Sequence, residues 1–271
     1  MAQADEFKAF EHAGWDGIPA QYDAGFGALT VQSIGPMLDA VSGAGLRLLD
    51  VASGPGYVAD AAAKRGFDVT GVDFAAAMVR EAKRRAPRID FREGDAEALP
   101  FEASSFDAVV INFGVLHLAR PEQAIAEAFR VLRPGGRFAF TVWAPPERAV
   151  AFGIVLGAVR AHGNPDAPLP PGPPFFRYSD ARAAGDALLA AGFVAPRSVE
   201  VPQQWRLASG EALFDIMLGG TVRTGGLLRA QTPEALSAIR GAVIDGVAPY
   251  RGGKGIELPM PAVLSSARKP A

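Results

Sequence analysis

The sequence predicts an α/β fold: a doubly wound sheet, mostly parallel, with an antiparallel last strand. Three observations lead there. From Leu46 onward, short apolar runs alternate with segments whose apolar residues recur at helical spacing. Five such strand runs are separated by helices, as parallel strands joined by crossovers must be. The run over residues 106–114 is apolar almost throughout, which suits an interior strand covered on both faces.

Each element has its own signal. Residues 1–44 read as an N-terminal helical cap with aromatics at Phe7, Phe10, Trp15, Tyr22 and Phe26. LRLLDVA, residues 46–52, is the first strand. The helix over 57–66 stops at Gly66. Residues 67–73 form the second strand. The helix over 74–87 ends at Pro87, with basic residues in its last turns where the helix dipole favours them. Residues 89–95 and 106–114 are strands three and four. Pro121 opens the next helix. Arg133-Pro134-Gly135-Gly136 reads as a tight turn before strand five at 137–144.

The second half is less regular. Residues 151–163 suit a helix. Asn164–Pro174 holds six prolines in eleven residues, a stiff extended connector. Residues 179–193 form a helix with Ser179 as N-cap and Gly192 as its stop. Residues 194–207 read as one strand and 210–228 as one helix. Thr232 and Pro233 begin a helix over 233–248, and 255–270 is a closing strand. The predicted division is a cap (1–44), a binding core (45–145), a helical insert and substrate lid that includes strand six (146–250), and a C-terminal strand completing the sheet (251–271).

Composition narrows the function. The 271 residues are 49% hydrophobic, enough for a sizeable core, and the net charge is −2. No basic stripe marks a nucleic-acid binder. The chain has no cysteine, which excludes disulfides and Cys-ligated zinc. Its three histidines stand far apart, at no metal-ligand spacing. No apolar run reaches the roughly 20 residues of a membrane span, and the N-terminus lacks an apolar signal segment. The expectation is a cytoplasmic protein, monomer or homodimer, with no metal, membrane or nucleic-acid partner.

In an open parallel sheet, ligands bind outside the carboxyl ends of the strands, where strand order reverses. Strand one ends at Asp50, before Ala52-Ser53-Gly54-Pro55-Gly56. Strand two ends at Asp73, strand three at Gly94-Asp95 and strand four at Asn112-Phe113. Gly54 and Gly56 let a ligand approach the backbone, and the helix after them offers free N–H groups to an anion. Asp73 can accept from two ribose hydroxyls. Asp95 can accept from an adenine amino group, with the Ala96 N–H beside it. Phe74 and Met78, at i and i+4, can flank a purine. Asp50 can face an ammonium.

Gly54-x-Gly56-x-x-Ala59 with Asp73 also fits a dinucleotide fingerprint. A pyrophosphate would be repelled by Asp50. S-adenosylmethionine presents an ammonium, a carboxylate, a ribose and an adenine, and each meets a partner here. Every assignment has a plainer alternative. Asp50 can cap a helix, Phe74 and Met78 can belong to the core, and His117 can start a helix.

The runs LLDVASGPG, VTGVDFAAAMV, EGDAEALPFEASSFDAVV and LRPGGRFAFTVW occur in a fixed order. Over residues 46–144 the chain resembles the class I S-adenosylmethionine-dependent methyltransferases of type 11, grouped with the ubiquinone/menaquinone-biosynthesis C-methyltransferases. The resemblance covers over a third of the chain and implies a Rossmann-like core. It also implies S-adenosyl-L-methionine as cofactor, with S-adenosyl-L-homocysteine as product. By it, Asp73 holds the ribose, Asp95 the adenine, and Gly54 and Gly56 the methionine part. The chain departs from the family at Ala52, where a glycine is usual, and at Pro55. Ala52 fits if its φ is negative.

The resemblance places a cap over the cofactor, where Tyr22, Thr30 and Gln32 could reach the methionine part. His117, just past strand four, is the candidate general base. Phe113, Trp143, Phe152, Phe176, Tyr178, Trp205 and Phe214 are candidate walls of a pocket for a small apolar or aromatic acceptor. Whether the acceptor atom is O, N or C stays open, a carbon acceptor needing more help than placement alone. Two other readings stand: a cofactor-binding regulatory protein on the same scaffold, and an NAD-dependent oxidoreductase.

Overall fold

The structure is a computed structural model that describes residues 2–253 and 255–271, so the predicted segment bounds that include residues 1 and 254 fall partly outside the described residues. Helices α1 (Ala2–Gly17), α2 (Pro19–Thr30) and α3 (Ile34–Val41) come first. Five strands and three helices follow: β1 (Arg47–Val51), α4 (Tyr57–Lys64), β2 (Asp68–Asp73), α5 (Ala76–Arg85), β3 (Asp90–Glu93), β4 (Phe106–Asn112), α6 (Pro121–Val131) and β5 (Leu132–Trp143), with a loop rather than a helix between β3 and β4. The remainder is α7 (Val150–His162), α8 (Ala181–Ala190), β6 (Val194–Val201), β7 (Gln204–Leu207), α9 (Gly210–Gly219), α10 (Arg223–Arg229), α11 (Pro233–Gly246), β8 (Arg251–Gly252), β9 (Gly255–Pro259) and β10 (Ala262–Arg268).

The main sheet has seven strands in the order β3-β2-β1-β4-β5-β10-β6. Strands β1 to β5 are mutually parallel, and β10 runs antiparallel between β5 and β6. The chain winds outward from β1 to β3, returns, and continues outward from β4. Strand order therefore reverses between β1 and β4. Val109, Val110 and Ile111 of β4 are fully buried, as a central parallel strand requires. Met37, Leu38 and Val41 of α3 are buried as well, so α3 belongs to the sheet's covering layer. Among the described residues no helix is long and apolar enough to cross a membrane.

Five sequence expectations need correction. Arg133–Gly136 is not a turn before β5 but lies inside it. Phe106 pairs with Leu132 while Ala108 pairs with Arg137, so the extra residues bulge out of register. Gly135 takes φ +78° there and donates to the carbonyls of Lys269 and Pro270.

The predicted strand over 194–207 is two strands. Prolines have no N–H for a ladder, and Pro202 marks the break between β6 and β7. Pro261 likewise divides β9 from β10. The pieces β7 and β9 form a separate three-stranded sheet, ordered β7-β9-β8. The predicted helix over 210–228 breaks at Gly219-Gly220 into α9 and α10. The N-cap of α8 is Asp180, whose carboxylate accepts from the Arg182 and Ala183 N–H groups at 2.7 and 3.2 Å. Ser179 instead donates to the Phe176 carbonyl at 2.6 Å.

Close packing of β2 on β3 depends on one glycine. A Cβ at Gly71 would stand 2.4 Å from Phe91 Cδ1, and Phe91 is itself buried. Gly71→Ala is expected to destabilise the protein by roughly 1–3 kcal/mol through overpacking. Denaturant unfolding should show a lower midpoint at unchanged slope; an unchanged midpoint would contradict the packing account.

Candidate functional site

A cleft opens at the carboxyl ends of β1, β2, β3 and β4, at the point of strand reversal. It encloses about 980 Å³ of empty space, counting its mouth. Of the predicted residues, Tyr22, Ala52, Gly54, Asp73, Phe74, Met78, Asp95, Ala96, Asn112, Phe113, His117, Trp143 and Phe152 line it.

The loop after β1 is held by carboxylates. Asp73 accepts the Gly54 N–H at 2.8 Å through Oδ2 and the Ala75 N–H at 2.9 Å through Oδ1. It is 5% exposed, and burial pushes its carboxyl up to about 6 despite those two bonds. Each oxygen keeps a lone pair for a further donor. Gly54 takes φ +51°, and a Cβ there would point into open space, so its backbone is bare to the cleft.

Ala52 and Phe113 also adopt left-handed conformations, with φ +52° and +54°. The condition that Ala52 have a negative φ is not met. The two residues directly follow β1 and β4, and a Cβ at Gly114 would come within 2.6 Å of the Ala52 Cβ. The two loops touch, and both strained residues border the cleft.

Asp50 does not line the cleft. It is fully buried, and its Oδ2 accepts the Ala59 N–H in the first turn of α4 at 3.1 Å. It caps α4 through Oδ2, while its Oδ1 is buried with no hydrogen-bond partner among the described residues. Burial, then the charge of Asp73, raises its carboxyl well above the usual carboxylate range, while the Ala59 N–H opposes the rise.

Gly56 faces away as well. A Cβ there would press on Phe91 and Ala82 at 3.0 and 3.1 Å, so this glycine serves the packing of α4 on α5. Thr30 and Gln32 tie the cap to β4 and β7. Thr30 donates to Phe26, and its carbonyl accepts from Asn112 Nδ2. Gln32 exchanges hydrogen bonds with the Gln204 backbone at 2.9 and 3.0 Å. Tyr178 packs on Phe140, Phe176 borders a second cavity, and Trp205 and Phe214 are core.

Lys8 and Trp15 of α1 join Tyr22 and Phe26 of α2 over the cleft, and the sequence reading assigned no α1 side chain to the site. Lys8 pairs with Asp95 and Glu97. Burial opposes its charge, but those carboxylates outweigh it and raise its ammonium's pKa. His12 donates to the Phe74 carbonyl at 3.0 Å, and Asp16 accepts the Ala77 N–H at 2.7 Å. Glu97, 2% exposed, also accepts the Arg120 N–H at 2.8 Å. Glu11 is fully buried. Its Oε2 accepts from Trp15 Nε1 at 2.9 Å and meets His117 Nδ1 at 3.1 Å.

The His117 ring is further held edge-on by Trp15 at 4.7 Å and Phe175 at 5.7 Å. Its side chain is 16% exposed. With Nδ1 occupied by Glu11, Nε2 is the nitrogen left for the cleft. The signal for α1 was its spacing: Asp5, Lys8, His12 and Asp16 fall at i, i+3, i+7 and i+11, a polar stripe on one helix face.

Residues 49–140 match the methyltransferase-domain family. The demethylmenaquinone methyltransferase of Renibacterium salmoninarum is 45% identical over 111 residues, 41% of this chain and 47% of that protein. The chain thus aligns with about half the length of this curated relative. Among solved structures, YcgJ of Bacillus subtilis matches with a TM-score of 0.57 at 22% identity, over 88% of this chain and 98% of that one. The cyclase SpnF matches with a TM-score of 0.53 at 23% identity, over 89% of this chain and 82% of that one. These likenesses establish a Rossmann-like α/β fold with its seven-stranded sheet.

Two predictions follow from the strained loop and the buried acid. Ala52→Gly relieves a left-handed conformation and should stabilise the protein by about 0.5–1 kcal/mol, after allowing for glycine's greater freedom when unfolded. Equilibrium unfolding in urea checks this. Asp73 titrates at about 6 when folded and near 3.8 when unfolded. Between those values the folded state holds the extra proton. The group's contribution is fully present below about pH 4 and is lost as pH rises through 6, a fall approaching about 3 kcal/mol. Asp73→Asn should flatten that part of the stability–pH curve relative to wild type.

Proposed function

We propose that the protein transfers a methyl group from S-adenosylmethionine to a small molecule with an apolar or aromatic body. The observation that carries this reading is a coincidence of place. The family match runs from within β1 to within β5, and the cleft is built at the ends of those same strands.

The residues present fit the cofactor. Gly54 offers bare backbone, Asp73 has lone pairs free for two ribose hydroxyls, and Phe74 and Met78 supply apolar walls for a purine. Asp95 is the acceptor for the adenine amino group. In this arrangement Lys8 sits on the same carboxylate, so the two donors share or compete for it.

When bound, the cofactor supplies a methyl group already activated by its sulfonium. The chain's own work is to orient, to exclude water and to hold a proton. The α1 roof and the stacked Phe113 and Trp143 rings, 4.0 Å apart, close the methyl end against solvent. His117 Nε2 receives the proton released by the acceptor. Glu11 holds the Nδ1–H tautomer and stabilises the charged ring, which makes it a positioning residue.

Titration calorimetry tests the reading directly. S-adenosylmethionine and S-adenosylhomocysteine should bind to the folded wild type, and Asp73→Ala should weaken both. No heat at high micromolar ligand would refute the proposal, and binding without turnover on any panel of phenols, amines and carboxylates would point to the regulatory alternative. With an acceptor in hand, His117→Ala should lower kcat about 100-fold or more while cofactor Kd is unchanged. Glu11→Gln should shift the pH–rate profile, an effect that mere loss of packing would not give.

A further inference from the structure

A second cavity lies beside the methyl end of the cleft. It encloses about 880 Å³, counting its mouth, and Phe152 is common to both. Apart from Arg223 and Thr224 its lining side chains are apolar, among them Phe7 and Phe10 of α1, Phe175 and Phe176, and the proline-rich segment around Leu169–Pro171, while polar atoms make up nearly half of the exposed lining. That segment is held down on α1, since a Cβ at Gly172 would stand 2.3 Å from the Phe7 ring. Arg223, at the start of α10, is the one charged side chain lining this cavity among the described residues.

Arg223 is placed as an anchor. Its guanidinium carbon stands 5.2 Å from the Phe7 centroid and 5.3 Å from the Phe175 centroid. Both of its hydrogen bonds leave from Nη1, to the Pro173 carbonyl at 3.0 Å and, at a long 3.4 Å, to the Leu116 carbonyl. The Nε–Nη2 edge, the side-on fork that grips a carboxylate with two parallel bonds, remains available. It forms no ion pair among the described residues, although burial disfavours its charge and only the nearby Glu11 supports it. A half-buried guanidinium between two aromatic rings, without a carboxylate partner, calls for an anion from outside.

We propose that this cavity binds the acid group of an apolar or aromatic carboxylate, with Arg223 Nε and Nη2 as its donors. Resting on the methyl-transfer reading, this defines the class of acceptor. Leu116 adjoins His117, and Phe175 packs edge-on to the His117 ring at 5.7 Å. Phe152 is common to the two cavities, so a molecule whose acid lies on Arg223 and whose body lies in the second cavity borders the cleft beside His117.

The test uses 2-naphthoate and its neutral counterpart 2-naphthalenemethanol, titrated by calorimetry into the full chain with and without S-adenosylhomocysteine. The carboxylate should bind wild type at least 10-fold more tightly than the alcohol. Arg223→Gln should abolish that preference and leave the weak binding of the alcohol, and Arg223→Lys should retain part of it. Binding of S-adenosylhomocysteine to Arg223→Gln should match wild type, which separates this site from the cofactor cleft.

Equal affinity of wild type for the two probes, or an undiminished preference in Arg223→Gln, overturns the proposal. If Arg223→Gln fails to fold by circular dichroism, the wild-type comparison and Arg223→Lys still decide. If naphthoate is preferred but S-adenosylhomocysteine does not bind, the anion site stands and the methyl-transfer reading fails.

Discussion

An open parallel sheet cannot cover its own carboxyl edge. In this protein that constraint governs nearly everything outside the core. Strand order reverses between β1 and β4, so the crossover helices diverge there and leave a crevice. The strand ends that border it expose backbone groups, which must find partners or face a ligand. Ala52 and Phe113 turn left-handed at those ends, and Asp73 folds back to satisfy Gly54 and Ala75. The crevice is a consequence of winding; its chemistry is a consequence of what satisfies its edges.

Helix α1 joins the apolar packing of Phe7 and Trp15 to a set of polar contacts at this edge. Asp5 pairs with Arg120, Lys8 with Asp95 and Glu97, Glu11 with His117, and Asp16 with the Ala77 N–H. An apolar seam would bury the same area with less dependence on angle. Directional contacts instead fix where each side chain of the roof stands relative to each strand end. They are also individually weak where solvent reaches them, as between Arg120 and the half-exposed Asp5.

The sequence made the strand ends legible because two periodicities and punctuating residues coincide there. Alternating apolar runs, glycines and single aspartates put Asp73, Asp95 and Gly54 on one edge, and the structure brings them together. Asp50 shows the limit. A carboxylate at a strand end can cap the next helix or face a ligand, and only three-dimensional direction decides. Here its oxygen meets the Ala59 N–H, nine residues on. The α1 contacts were illegible for a different reason. A polar helix face looks solvated in sequence, and Asp5, Lys8, Glu11 and Asp16 carry no mark of the partners they meet 61 to 115 positions away. Pro202 and Pro261 did carry the signal that splits the late strands, because a proline in mid-ladder argues against an unbroken strand.

The distribution of strain and charge then separates generic parts from particular ones. The sheet from β1 to β5 carries the loop, the aspartates and the family likeness. The side chains that give His117 its orientation come from elsewhere: Glu11 and Trp15 from α1, Phe175 from the segment before α8. Arg223 comes from α10 and leans on Phe7 of α1. A ring nitrogen held by a fully buried carboxylate and flanked by two aromatic edges has little freedom to turn, so its other nitrogen presents a fixed direction to the cleft. The added helices therefore supply direction to a cleft whose position the sheet has already set. That layer lies outside the shared segment, and in it Arg223 stands between Phe7 and Phe175 with no ion pair among the described residues.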